Sequence, residues 1–186
     1  MNRATTHTRL LGNLAVVVLV CLALVLQVSL FSAFAWDGVV PDLVLLIVVA
    51  GALARGGQFG LVLGFAAGVL LDLAPPADHT AGRWALSLLV VGYVAGRLRQ
   101  DAGIGLGGLP AKPPALMVMA AVAGCSFVGT SIYAISGLLL GEGGVGVGSM
   151  LEVIGISLVW DLLLTPFLVP WVMLLLVRLE PEHARI

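Results

Sequence analysis

The sequence predicts an all-α protein, a polytopic bundle of six transmembrane helices forming a single membrane domain over residues 1–186. Three observations carry that expectation. Of 186 residues, 60% are apolar and only 10% charged, against roughly 25% charged in an average soluble domain. Two uncharged runs, 10–36 and 113–141, each exceed the ~20 residues that cross a bilayer's hydrocarbon core. Short connections bearing Gly, Pro and Arg separate the apolar stretches, so no room is left for a soluble catalytic or nucleic-acid-binding domain.

Each span follows from local signals. The first, 10–35, follows Arg3 and Arg9 and ends in Ala33-Phe34-Ala35, which imitates a signal-peptidase site. Its apolar core is longer than the roughly 7–15 residues of a cleaved signal, so it reads as a retained signal anchor with a cytoplasmic amino end. The second, 39–54, carries Pro41 and Asp42 in its first turn, where a missing N–H is harmless and a negative charge suits the helix dipole. It stops at Arg55-Gly56-Gly57. The third, 58–73, ends at Asp72 and the Pro75-Pro76 breaker, and the fourth, 84–96, ends at Arg97 and Arg99. These short spans require tilt, local thinning of the bilayer or shielding by neighbours. A Gly- and Pro-rich connection with Lys112 follows. The fifth span covers 115–140 and the sixth 151–177, with Asp161, Pro166 and Pro170 inside it.

Threading these spans from a cytoplasmic amino end places Arg3, Arg9, Arg55, Arg97, Arg99, Lys112, Arg178 and Arg185 inside and Arg83 alone outside. Positive charge sets membrane orientation in just this sense, so both termini are expected in the cytoplasm. No internal repeat supports an inverted-repeat carrier.

Gly56, Gly60, Gly64, Gly68 and Asp72 recur every four residues through the third span, and Gly92 and Gly96 repeat the device before Arg97. Small residues at that spacing let helix backbones approach closely, and packing drives helix association in lipid. Gly60, Gly64, Gly68, Gly92 and Gly96 are therefore expected to pack helices within the chain or to dock a partner. Asp42 and Asp72 are expected near the outer face, as interfacial caps or as a polar docking patch, with Arg83 available to satisfy them. Asp161 lies ~13 Å along its helix from Glu152 at 1.5 Å per residue. A carboxyl at such depth needs a polar partner, and Gln27, Ser126, Thr130 and Ser131 are the candidates.

No catalytic, cofactor or metal site is expected. His7, His79 and His183 all fall outside the spans, which removes the base an intramembrane serine protease needs. Asp161 is expected to be too deep to meet Asp42 or Asp72 as a proteolytic dyad. The 141–148 glycine run lacks the lysine of a phosphate-cradling loop. Cys21 and Cys125 sit in apolar spans as small hydrophobes and suggest no disulfide framework.

The stretch Pro41-Asp42-Leu43-Val44-Leu45-Leu46, then Arg55-Gly56, then Gly60-Leu61-Val62-Leu63-Gly64-Phe65, Gly68-Val69-Leu70-Leu71-Asp72-Leu73 and Val91-Gly92-Tyr93-Val94-Ala95-Gly96-Arg97-Leu98 resembles the MreD family of rod shape-determining proteins. The likeness is strongest over residues 41–98. It departs at 74–83, which is more polar than the expected turn, and in the carboxyl half, which resembles the family only in span layout. The resemblance implies a non-enzymatic component of the bacterial inner membrane. Its expected partners are MreC, the RodA and penicillin-binding-protein synthase and, indirectly, MreB filaments, with roles in peptidoglycan synthesis and rod shape. The family also resembles the six-helix substrate-binding component of energy-coupling-factor transporters. That likeness supplies an alternative reading as a vitamin-binding membrane component, although fold alone does not carry transport.

Overall fold

The computed structural model describes residues 3–36, 38–75, 80–102, 113–141 and 147–178. The described chain is helical apart from its connections. Its helices are α1 (Arg3–Ser29), α2 (Leu43–Arg55), α3 (Gly57–Leu73), α4 (Arg83–Asp101), α5 (Ala115–Leu139) and α6 (Val147–Arg178). Among the described residues, three segments are long and apolar enough to cross a membrane: Gly12–Ser29, Ala115–Leu139 and Gly148–Leu176.

The shortest helix holds the centre. Every residue of α2 from Leu43 to Ala54 is buried, because α1, α3, α4, α5 and α6 all pack on it. A helix without a polar face is stable only where it is covered on all sides. Its 13 residues rise ~20 Å, which falls short of a ~30 Å hydrocarbon core. Shielding by five neighbours answers that shortfall. The outer helices show the reverse pattern: Val17, Val18 and Leu22 of α1 and Leu163, Phe167 and Trp171 of α6 are exposed, as surfaces solvated by lipid require.

Several boundaries differ from the sequence expectation. Residues 39–42 are not helical. Trp36 and Val39 exchange backbone hydrogen bonds at 3.0 and 2.9 Å around Gly38, whose φ is +80°, and the chain then enters the bundle extended. The cause is local: the position before a proline disfavours helix, and Asp42 adopts the non-helical cap conformation with its Oδ1 accepting the Leu45 N–H at 2.9 Å. Helix α1 ends at Ser29, with a 3-10 turn at Phe31–Phe34. Helix α4 extends through Arg97 and Arg99 to Asp101, so both arginines belong to its last turns.

The α2–α3 turn is made at Gly56, with φ +94°. Its N–H closes α2 on the Ala52 carbonyl at 2.7 Å, and its own carbonyl accepts the Gly60 N–H at 2.9 Å. A side chain is disfavoured at that φ. In α6, Pro166 and Pro170 each withdraw a backbone donor, while the Thr165 hydroxyl donates to the Asp161 carbonyl at 2.6 Å.

Candidate functional site

The glycines singled out from sequence face one another across α3 and α4. A Cβ at Gly64 would overlap the Leu88 carbonyl. At Gly68 it would run into the Trp84 carbonyl and the Ala85 backbone, and at Gly60 into the Gly92 carbonyl. Gly92 meets Gly60 in return, and Gly96 meets Gly56 and Gly57. Each four-residue step along α3 thus meets a four-residue step of antiparallel α4, and the two backbones touch for most of their length. Close approach on this scale maximises dispersion contacts, the main attraction left when lipid is as apolar as the side chains.

A second assembly is polar and lies where α1, α2, α5 and α6 converge. Asp161 is fully buried, and its two oxygens accept from different segments, the cap residue of α2 and helix α5. Oδ1 takes the backbone N–H of Asp42 at 3.0 Å, and Oδ2 takes the Ser126 hydroxyl at 2.6 Å. Gln27 of α1 accepts the Val44 N–H through Oε1 at 3.2 Å. Val44 lies in the first turn of α2 and Asp42 is its cap residue, so both backbone N–H groups lack a partner inside the helix. The cluster is closed off from the surface: Asp161 and Ser126 are 0% exposed, Thr165 1%, Asp42 5% and Gln27 7%.

The expectation that Asp161 lies too deep to meet Asp42 is overturned by the 3.0 Å bond between them. The extended entry explains it. A residue advances ~3.3 Å in extended chain against 1.5 Å in helix, so residues 39–42 carry Asp42 inward before α2 begins. Of the expected partners of Asp161, Ser126 bonds it directly and Gln27 holds the adjoining N–H. Thr130 turns back onto the Ser126 carbonyl of its own helix at 2.7 Å, and Ser131 is not a partner.

Asp72 ends α3 and caps α4. Its carboxylate accepts the N–H groups of Gly82, Trp84 and Ala85 at 2.9, 3.1 and 3.0 Å, so the negative group sits at the positive end of α4. Asp42 and Asp72 are each 5% exposed. The neighbouring Arg83 is buried as well. It donates from Nη2 to the Tyr133 carbonyl at 2.7 Å and from Nε to Ser136 at 3.4 Å, and it lies 3.9 Å from the Tyr133 ring centroid. Trp84 stacks on the same ring at 4.4 Å.

Arg83 and two α5 glycines were missed as packing elements in the sequence. Gly137 leaves the space that the Arg83 guanidinium fills, and Gly129 admits Val91, Leu45 and Ser87. Ser87 donates to the Gly129 carbonyl at 2.6 Å. Their spacing of eight residues on one helix face was the available signal. At the opposite end of the bundle, Arg55 reaches the Leu176 carbonyl at 3.5 Å and lies over Phe59, while Arg99 approaches Gly56. Arg97 is exposed and pairs with Gln100 at 3.4 Å.

No group of three or more His, Cys, Asp or Glu side chains suited to a metal occurs among the described residues. What the arrangement does chemically is hold helices together: both oxygens of Asp161 and three bonds of Asp72 are spent on internal donors. No curated protein and no solved structure matches the chain. The family model of rod shape-determining protein MreD matches residues 8–106, a stretch that contains the glycine seam, Asp42 and Asp72. The match covers more than half of the sequence, and the chain therefore belongs to the MreD family of rod shape-determining membrane proteins.

Proposed function

We propose that this chain is a non-enzymatic scaffold of the bacterial cell-elongation complex, binding MreC in the inner membrane and supporting peptidoglycan synthesis and rod shape. Family membership over residues 8–106 is the observation that carries this reading. The consumption of Asp72 and Asp161 by internal hydrogen bonds agrees with it, since neither is offered to a substrate.

In this reading the chain is one membrane domain crossing the bilayer six times, with the layout of the substrate-binding component of energy-coupling-factor transporters and both termini in the cytoplasm. The gathering of Arg55 and Arg99 near Gly56, with Arg55 on the last turns of α6, supports placing those ends together on the positive side. The lipid-facing flanks of α1, α5 and α6 then offer the surface against which the single membrane helix of an MreC-type protein packs. RodA, its penicillin-binding-protein partner and MreB are engaged through that complex.

The test is recovery of the tagged full-length chain from detergent-solubilised membranes, paired with depletion in the source organism. An MreC-type protein should co-purify, and depleted cells should round up while sidewall peptidoglycan incorporation falls. Depleted cells that keep rod shape, with no MreC-type protein in the eluate, would remove the proposal.

A further inference from the structure

The end of the bundle where α2 turns into α3 gathers arginines that neither the glycine seam nor the Asp161 cluster uses. Arg55 ends α2, Arg97 and Arg99 lie in the last turns of α4, and Arg178 ends α6. Packing draws these ends together, with Gly96 against Gly56 and Gly57 and Arg55 against the Leu176 carbonyl. Among the described residues, Asp101 is the one carboxylate at this end, and it is exposed.

The arginines differ in where they point. Arg97 and Arg178 are exposed, and Arg97 pairs with Gln100. Arg99 is folded onto the turn instead. Its Nη1 comes within 3.7 Å of the position a Cβ would take at Gly56, and its Nε is enclosed with no hydrogen-bond acceptor among the described residues. A buried charged donor left without an acceptor is costly. Arg55, next to Gly56 in sequence, brings a second positive charge to the same turn. Positive groups that converge away from bulk water repel one another unless an anion lies among them.

We infer that this turn binds the phosphate of an anionic phospholipid headgroup, with the Arg99 guanidinium as its principal donor and Arg55 adding charge. The planar guanidinium fork matches two phosphate oxygens at once. The surroundings favour a lipid over free phosphate. Val62 of α3 and Tyr93 and Leu98 of α4 are exposed toward the same end of the two helices, which gives an acyl chain apolar surface beside the charged site. The inference needs the bundle to lie in a bilayer, and depends on neither its partner nor its orientation.

Native mass spectrometry of the purified full-length protein, with phosphatidylglycerol, phosphatidylcholine or inorganic phosphate added, tests this. Wild type should retain phosphatidylglycerol in preference to phosphatidylcholine, and an excess of inorganic phosphate should not displace it. Arg99→Gln should weaken that retention roughly tenfold or more, the worth of a charged hydrogen bond, whereas Arg97→Gln should leave most of it. Arg99→Lys, which keeps the charge and removes Nε, should also bind more weakly, and it carries the test where Arg99→Gln fails to accumulate; circular dichroism checks the helical fold of each. Equal retention of the two lipids by wild type overturns the inference, as does retention unchanged in the Arg99 variants. Displacement by inorganic phosphate would overturn the assignment to a lipid.

Discussion

The backbone N–H of Asp42 donates to Oδ1 of Asp161 at 3.0 Å across 119 residues of sequence, and that bond ties the entrance of the central helix to the middle of the last one. Each group answers a need of the other. Asp161 gains a donor where it is fully buried, and Asp42 lends an N–H that the extended segment before α2 would otherwise leave unpaired.

Asp161→Ala strands both the Asp42 N–H and the Ser126 hydroxyl. The expected loss is roughly 2–5 kcal/mol, the cost of leaving two buried polar groups unsatisfied. Thermal unfolding in detergent should show a markedly lower midpoint, while Asp161→Asn, which still offers a carbonyl oxygen, should sit much nearer wild type and keep cells rod-shaped. Equal losses in both variants would show that charge rather than hydrogen bonding matters at this position.

Gly64→Leu should destabilise the protein by at least ~3 kcal/mol, because the new side chain meets the Leu88 backbone rather than a movable side chain. Gly124 on α5 has open space around it, so Gly124→Leu should change stability by no more than ~0.5 kcal/mol. Membrane accumulation and thermal stability of the two variants check the contrast. Loss of an MreC-type partner from folded Gly124→Leu would place docking on that face of α5.

Asp72→Ala removes the acceptor of three backbone N–H groups at the start of α4. A loss of about 1–3 kcal/mol is expected, and it should appear locally. Hydrogen exchange of the Trp84 and Ala85 amides should accelerate more than that of amides in the middle of α2.

Orientation is open to labelling. With Cys21→Ala and Cys125→Ala as background, Lys112→Cys should react with an impermeant maleimide only after the cells are permeabilised. Labelling in intact cells would reverse the proposed topology. Before its replacement, Cys125 should resist labelling even in detergent, since it is 0% exposed.

Much of the fold is legible in composition and spacing. Long uncharged runs require lipid around them, and glycines every fourth residue in 56–68 mark a helix face with no side chain in the way. The Arg55-Gly56-Gly57 break likewise announces a tight turn, and the structure makes it there with φ +94° at Gly56. These are properties of short segments, and periodicity reports them directly.

The sequence by itself determined that this protein is helical, belongs in a membrane and carries a small-residue seam, because each depends on side chains close together along the chain. Only the tertiary structure decided that α2 is the buried centre, that Arg83 is folded onto α5 and that Asp42 meets Asp161. Those outcomes depend on how far an extended entry carries a residue into the bundle and on which helices surround it. Such distances arise from packing between segments far apart in sequence, and no local pattern of residues encodes them.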